Sequence, residues 1–451
     1  MTAKKRLAEI EMALRGRQLV YFGTRGADAE PLLNLSNMAF VFSLIAPLDA
    51  CSVREVSLEV ETGERVELDS YNLDFDRREV IGDLRRRLLH LFDRPSAVLP
   101  YRPCAFLSSA WFPRSDRTLY LGMFHESQAC FEHKPWVESQ LSRFGVRVLP
   151  WRYWADSDRR LIGEWAAKEP LVLRANHTDG GAGVRLLRDA GALDTEWPMH
   201  GDGFLAAAPY LEHSIPLNVN ACVFSDGRVT LHGPSLQIIG IPSLTRRAFG
   251  YCGNDFARTA DLEPRVLDSL EEMSVRTGMW LHQNGYRGAF GIDALLHDGI
   301  LYLTEVNPRF QGSSLHSARL DATLGRADVF LEHAAALLGF AARASRPLRE
   351  LAREQPAVSH LILHNTLDVP VRVESETDAS RNAQLRLVPA PAILVQSEAI
   401  AFEVVVPRSV TGDGTSLTPE ACAIVSAELG RLHPVTKADP SGTDSATRDL
   451  S

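Results

Sequence analysis

Apolar positions change period several times along the chain, and each change marks an element. At the N-terminus Leu7, Ile10 and Leu14 recur at three- and four-residue spacing among charges, which predicts a helix within residues 1–17. Residues 18–22 form a short, largely apolar run ending in Gly23-Thr24-Arg25-Gly26, the pattern of a buried strand and a tight loop that opens an α/β sheet. Strands over 53–60 and 117–124 and a charged helix over 77–92 complete a first α/β domain, residues 1–130. A helix over 135–141 then ends near Gly145, before a short strand at 146–149. The strand 171–173 runs into His177-Thr178-Asp179-Gly180-Gly181-Ala182-Gly183, the glycine density of a loop that covers phosphate. Val266, Leu270, Met273 and Trp280 place an amphipathic helix over 262–284, stopped by Gly285. Two alternating runs follow, 288–296 and 300–309, with His297-Asp298-Gly299 between them as a hairpin turn. Strands at 358–364, 385–388 and 400–406 and a helix opened by Thr418 and Pro419 predict a small β-rich unit over 346–435. Residues 436–451, rich in Ser, Asp and Thr, read as a disordered tail.

Composition narrows what these elements do. The 451 residues are 45% hydrophobic and 23% charged, enough for roughly two or three domains with full cores. A net charge of −9 provides no positive field, so neither nucleic acid nor an anionic membrane surface is an expected partner. The longest apolar run, 38–48, is about half of a bilayer span, and a cytoplasmic location is expected. Six cysteines without CxxC spacing argue against a zinc cluster or a disulfide framework.

The candidate chemistry lies in the hairpin. Glu305, Asn307 and Arg309 are two residues apart and project from one face, with Tyr302, Thr304 and Val306 on the other. Asp293 joins that face only in some registers. A two-residue turn pairs it with Thr304, on the wrong side; a three-residue turn with Gly299 as a bulge pairs it with Leu303, diagonal to Glu305. The three-residue turn is therefore the expectation. Two carboxylates and an amide oxygen suit Mg²⁺, with Mn²⁺ as the alternative, and Arg309 suits charge on a transferring phosphoryl group. The plainer alternative is a surface hairpin whose acids pair with arginines.

The segments Gly285-Tyr286-Arg287-Gly288-Ala289-Phe290-Gly291-Ile292-Asp293 and Thr304-Glu305-Val306-Asn307-Pro308-Arg309-Phe310-Gln311-Gly312 resemble the metal-binding end of ATP-grasp enzymes, above all biotin carboxylase and its relatives. The resemblance covers residues 131–345. It implies an α/β (α+β) chain: a pre-ATP-grasp α/β domain, an ATP-grasp fold of two α+β subdomains (131–210 and 211–345), and a small β-rich C-terminal domain. It also implies ATP and Mg²⁺ as cofactors, with Asp293, Glu305 and Asn307 as metal ligands and Arg309 at the reacting phosphate. Lys134, Arg174, Gly180, Gly181, Gly183, Pro209, Tyr210, Leu211 and Gln237 fall at the family's ATP-contacting places. Arg174 stands where the family usually has lysine. Ser313 stands where biotin carboxylase has its glutamate base, which argues against biotin carboxylation. Gly312, Ser313 and Ser314 are then candidates for a substrate carboxylate or acyl phosphate, with Ser313 as a catalytic candidate, and Asp255 for an incoming amine.

The layout resembles actinobacterial peptide ligases of the pheganomycin type. That implies an ADP-forming ligase joining a small carboxylate substrate to an amine or peptide acceptor in natural-product biosynthesis. A dipeptide ligase of free amino acids and a non-catalytic ATP sensor are the alternatives, and the relatives imply a homodimer.

Overall fold

The computed structural model describes residues 3–46, 53–67, 78–176, 180–198, 203–374 and 383–435. The expected tail at 436–451 and residues 177–179 of the glycine loop lie outside them.

The first α/β unit is an open parallel sheet ordered Arg54–Ser57, Met38–Ile45, Gln18–Arg25, Ser96–Pro100, Thr118–Tyr120. Its central strand is apolar on both faces because both are covered. Leu19 and Tyr21 pack with Ile10 and Leu14 of the helix Ala3–Ala13 and its flank, while Val20 and Phe22 pack with Ile81, Leu84 and Leu88 of the helix Glu79–Leu91. The strand expected over 53–60 stops at Ser57. Leu58–Thr62 is a helical turn, which lets the buried Glu59 meet Arg65 and the Ala46 N–H. The strand expected over 117–124 shortens to Thr118–Tyr120.

The glycine-rich hairpin belongs to a four-stranded antiparallel sheet, ordered Arg152–Ala155, Phe204–Pro209, Leu171–Ala175, Val184–Leu187. A much larger antiparallel sheet faces it, running Ile300–Asn307, Gly288–His297, Ile215–Val223, Ser235–Ile239, Tyr251–Asp255, Ser359–His364, Ile400–Val406, Gln384–Arg386. Under it lies the expected helix, at Pro264–Gln283, whose Val266, Leu270, Met273 and Trp280 meet Leu217, Val219, Leu303 and Val306.

Two expectations need correction. The unit over 346–435 is not a separate layer. Its strands continue the large sheet, Gly253 pairing with Leu361 and Leu361 with Val404, and Ile238, Cys252, Leu363 and Val404 share one core. The first unit is stitched in as well, because Glu64–Arg65 pairs with Leu394–Val395 in a small fourth sheet.

The second correction concerns the hairpin. The turn holds two residues, Asp298 and Gly299, both at positive φ (49° and 75°), so His297 pairs with Ile300. This is the geometry a tight hairpin favours, since its twist matches the strands. The extra residue sits instead at Thr304, between the pairs Ala294–Leu303 and Asp293–Glu305. There the segment Arg147–Leu149 docks on the strand through Leu303, with bonds of 2.8 and 3.3 Å. The bulge switches faces mid-strand. Leu301, Leu303 and Val306 point into the core, whereas Thr304 and Glu305 both reach the cavity described next.

Among the described residues, no helix is long and apolar enough to cross a membrane.

Candidate active site

A cavity of about 540 Å³ opens between the four-stranded and the large sheet. One end is apolar, walled by Leu149, Trp151, Val172, Tyr210, Ile239, Phe249 and Leu295. A planar heteroaromatic ring suits such a slot. Gly180 and Gly181 of the hairpin lie over it, and Gly181 (φ +78°) leaves no room for a side chain: a Cβ there would stand 2.1 Å from the Phe249 carbonyl oxygen. Gly183 does not line the cavity. Its carbonyl accepts from the Ala175 N–H and closes the hairpin instead. Pro209, Tyr210 and Leu211 follow the strand Phe204–Pro209 along the slot, with Tyr210 edge-on to Phe249.

The other end is polar. Asp293 and Glu305 stand directly opposite each other across the hairpin. Asp293 Oδ1 accepts from Asn218 Nδ2 (2.7 Å) and Gln237 Nε2 (3.0 Å), and Oδ2 from Asn307 Nδ2 (3.1 Å). Burial, and then the neighbouring Glu305 carboxylate, push the Asp293 carboxyl above its ordinary range. Lys134, at the start of the helix Lys134–Arg143, lies 3.0 Å from Glu305 Oε1. Two acids crowded together beside an amide oxygen, with a lysine on one of them, are a donor set that fits a hard divalent cation. Arg309 borders the same end, 3.4 Å from Glu132, which also holds Arg102 of the first unit.

Several expected residues sit differently. Arg174 lines the cavity, but its guanidinium is forked onto Glu138 at 2.5 and 3.1 Å and stacks 4.2 Å over Trp151. Asp255 does not line the cavity. It is fully buried; Oδ1 accepts from the Arg258 N–H and Oδ2 from Ser409 Oγ and the Val410 N–H, so it ties the 409–411 segment to the sheet rather than meeting an amine. Ser313 faces the cavity, yet its hydroxyl donates to Asn218 Oδ1 (2.7 Å) and accepts from Asn220 Nδ2 (2.9 Å), which makes it a positioning group. Ser314 is turned inward, its hydroxyl donating to Asn220 Oδ1 and accepting from the Gln311 N–H.

Sequence reasoning missed Glu138, Trp151, Gln311, Tyr251 and Arg25. Gln311 carried a readable signal, standing two residues beyond Arg309 just past the end of the strand Ile300–Asn307; its Oε1 accepts from Asn218 at 2.7 Å. Arg25 carried none. It ends the central strand of the first unit, pairs with Asp28 at 2.9 Å, and reaches the Gly312 carbonyl at 3.2 Å. Nearly three hundred residues separate those partners.

Residues 165–313 match the ATP-grasp domain family. The chain is 22% identical to a D-alanine–D-alanine ligase of a Nitratiruptor species over 193 residues, 42% of this chain and 54% of that enzyme, so it spans about half the length of that relative. Its fold is similar to biotin carboxylase from Campylobacter jejuni, with a TM-score of 0.61 and 14% identity over 92% of this chain and 91% of that one. It is also similar to N5-carboxyaminoimidazole synthetase from Staphylococcus aureus, solved with ADP, with a TM-score of 0.56 and 12% identity over 92% of this chain and 97% of the other. The chain thus has an ATP-grasp fold in the biotin carboxylase arrangement, with the matched ATP-grasp domain at residues 165–313.

Proposed function

We propose that the chain is an ATP-dependent carboxylate–amine ligase, forming an amide bond through an acyl phosphate with release of ADP and phosphate. The observation that carries this is the pairing of Asp293 with Glu305, flanked by Asn307, Gln237 and Arg309, at the polar end of a cavity whose other end is an apolar slot. In this reading the slot takes the adenine and Gly180 and Gly181 cover the phosphates. Asp293, Glu305 and Asn307 hold Mg²⁺, which when bound neutralises phosphate charge. Lys134 exchanges Glu305 for a phosphate oxygen, and Arg309 stabilises charge on the group in transfer. The amides of Asn218 and Gln311 and the Ser313 hydroxyl keep the floor beneath the acceptor rigid.

An amino acid is the proposed acid, and an amine of a second amino acid or of a peptide the acceptor. The likeness to a D-alanine–D-alanine ligase supports the amino acid, and the layout resembling pheganomycin-type ligases supports a peptide acceptor in natural-product biosynthesis. Biotin carboxylation is disfavoured, because Ser313 has a hydroxyl bound on both sides where a carboxylate base is required.

The test is ADP and phosphate release from Mg·ATP across a panel of amino acids and short peptides, with mass spectrometry of the products. Wild type is expected to yield a product lighter than its substrates by one water. Glu305→Gln is expected to lower turnover by about 10²- to 10³-fold, the usual cost of losing a group that stabilises transition-state charge. Tight ATP binding with no turnover on any pair would sink the ligase reading in favour of a sensor.

A further inference from the structure

Two residues of the cavity wall, Tyr251 and Asn254, back onto a polar cluster that the ligase chemistry leaves unused. His316 on the helix Ser314–Thr323, His360 on the strand Ser359–His364 and Glu403 on the strand Ile400–Val406 are all buried, and one ligand atom from each lies within 4.8 Å of the others. His316 Nε2 stands 2.7 Å and His360 Nδ1 2.8 Å from the same oxygen, Glu403 Oε1. The two imidazoles stack at 3.9 Å, 14° from parallel.

Proton counting shows what this arrangement requires without an ion. His360 Nε2 lies 3.2 Å from Asn254 Oδ1. That atom is an acceptor, since Asn254 Nδ2 donates to Ser235 Oγ and the Tyr251 hydroxyl donates to Oδ1. A neutral imidazole has a single N–H. If it goes to Asn254, the Nδ1 lone pair faces the Glu403 oxygen at 2.8 Å, in an orientation that makes no hydrogen bond. Charging His360 alone supplies both N–H groups, but it buries a cation face to face with the other ring. The two rings and the carboxylate are all buried, so a charge on either ring is held without solvent. The nearby cations do not fill the gap, because Arg25 is paired with Asp28 and Arg319 with Glu30.

We propose that His316, His360 and Glu403 form a second metal site, for a divalent ion of the zinc class, distinct from the magnesium ligands. Two imidazole nitrogens and one carboxylate oxygen are the donors such ions prefer, whereas Mg²⁺ takes oxygen. Asn254 supplies what a metal-bound histidine requires on its other nitrogen, an acceptor that holds the tautomer. A tetrahedral ion with bonds of about 2.0–2.1 Å sets its ligand atoms about 3.3 Å apart. Loading therefore asks the Glu403 carboxylate to retreat by about 0.5 Å and the two rings to turn out of their stack until both lone pairs meet at the ion. The ion ties the helix that begins beside the Ser313 floor to two strands from beyond residue 346.

Metal content of the full chain, purified without a histidine tag and dialysed against Zn²⁺ in excess Mg²⁺, tests this. About one tightly held zinc per chain is expected, replaceable by Co²⁺ with the visible absorption of a low-coordinate nitrogen–oxygen site. Glu305→Gln, which cripples the magnesium ligands, is expected to keep the ion, and Glu403→Gln or His316→Ala to lose it. If the cluster variants fail to fold by circular dichroism, wild type and Glu305→Gln still decide. A wild type that retains no zinc, or a zinc that disappears in Glu305→Gln, overturns the proposal.

Discussion

At the scale of single residues, the site shows how strongly a buried charge depends on its partner. Arg174 and Glu138 are only 5% and 8% exposed at their side chains, and the guanidinium satisfies both carboxylate oxygens. Removing one member strands the other in the protein interior, which typically costs about 3–5 kcal/mol. Arg174→Leu should therefore lower the unfolding free energy by roughly that amount, and Arg174→Leu with Glu138→Leu should cost clearly less than the single variant. Denaturant unfolding of the two variants checks this, and an additive double variant would refute the pairing as the dominant effect. The same fork explains what the exchange of lysine for arginine does here. A lysine has no planar pair of donors to match a carboxylate, so Arg174 is held at the cavity wall by Glu138 and Trp151 before any nucleotide arrives.

At the scale of elements, the hairpin and the helix Val329–Leu337 carry the arrangement. The alternation of residues 288–309 announced two paired strands, but the turn between them was expected to hold three residues and holds two. The bulge at Thr304 had no local signal, because it is imposed by the docking of Arg147–Leu149 on Leu303. His333 joins three elements at once: its Nδ1 accepts from the Ala289 N–H at 2.9 Å and its Nε2 donates to the Leu121 carbonyl at 3.0 Å. The bond from Ala289 needs the neutral ring, because a protonated Nδ1 cannot accept, and burial pushes the pKa down from 6.5 to about 4. A folded-state pKa below the unfolded one means that the stability is complete above about pH 6.5 and is lost as the pH falls towards 4. The loss contributed by this one group should approach about 3 kcal/mol at the acid end. His333→Gln should flatten that part of the curve, even if it is less stable at pH 8. Parallel pH profiles for the two proteins would refute the assignment.

At the scale of the whole molecule, the decisive feature is the large sheet. The strand Tyr251–Asp255 walls the cavity, and its other edge is covered by Ser359–His364, which lies beyond the expected end of the ATP-grasp unit. A chain ending at residue 345 leaves that edge unpaired and uncovers Ile238 and Cys252. Open edges over exposed apolar cores associate. Such a truncation is expected to be insoluble or aggregated and to bind no ATP, as read by size-exclusion chromatography and nucleotide titration. A soluble, ATP-binding 1–345 chain would show that the two parts are independent after all. Arg65 ties the first unit in from the other side, giving hydrogen bonds to the carbonyls of Ala46, Leu387 and Ala401 and to the Glu59 carboxylate.

What the sequence determined by itself was local: the period of most strands and helices, the glycines of the hairpin, and three polar residues at two-residue spacing. Those features depend on neighbours within about one turn or one strand, so they are legible in a string. Tertiary structure alone decided which face Asp293 shares with Glu305, that Arg174 is spent on Glu138, that Asp255 belongs to the scaffold, and that His316, His360 and Glu403 meet. Each of these depends on contacts between segments far apart in the chain, whose register and partners are settled only when the sheets pack.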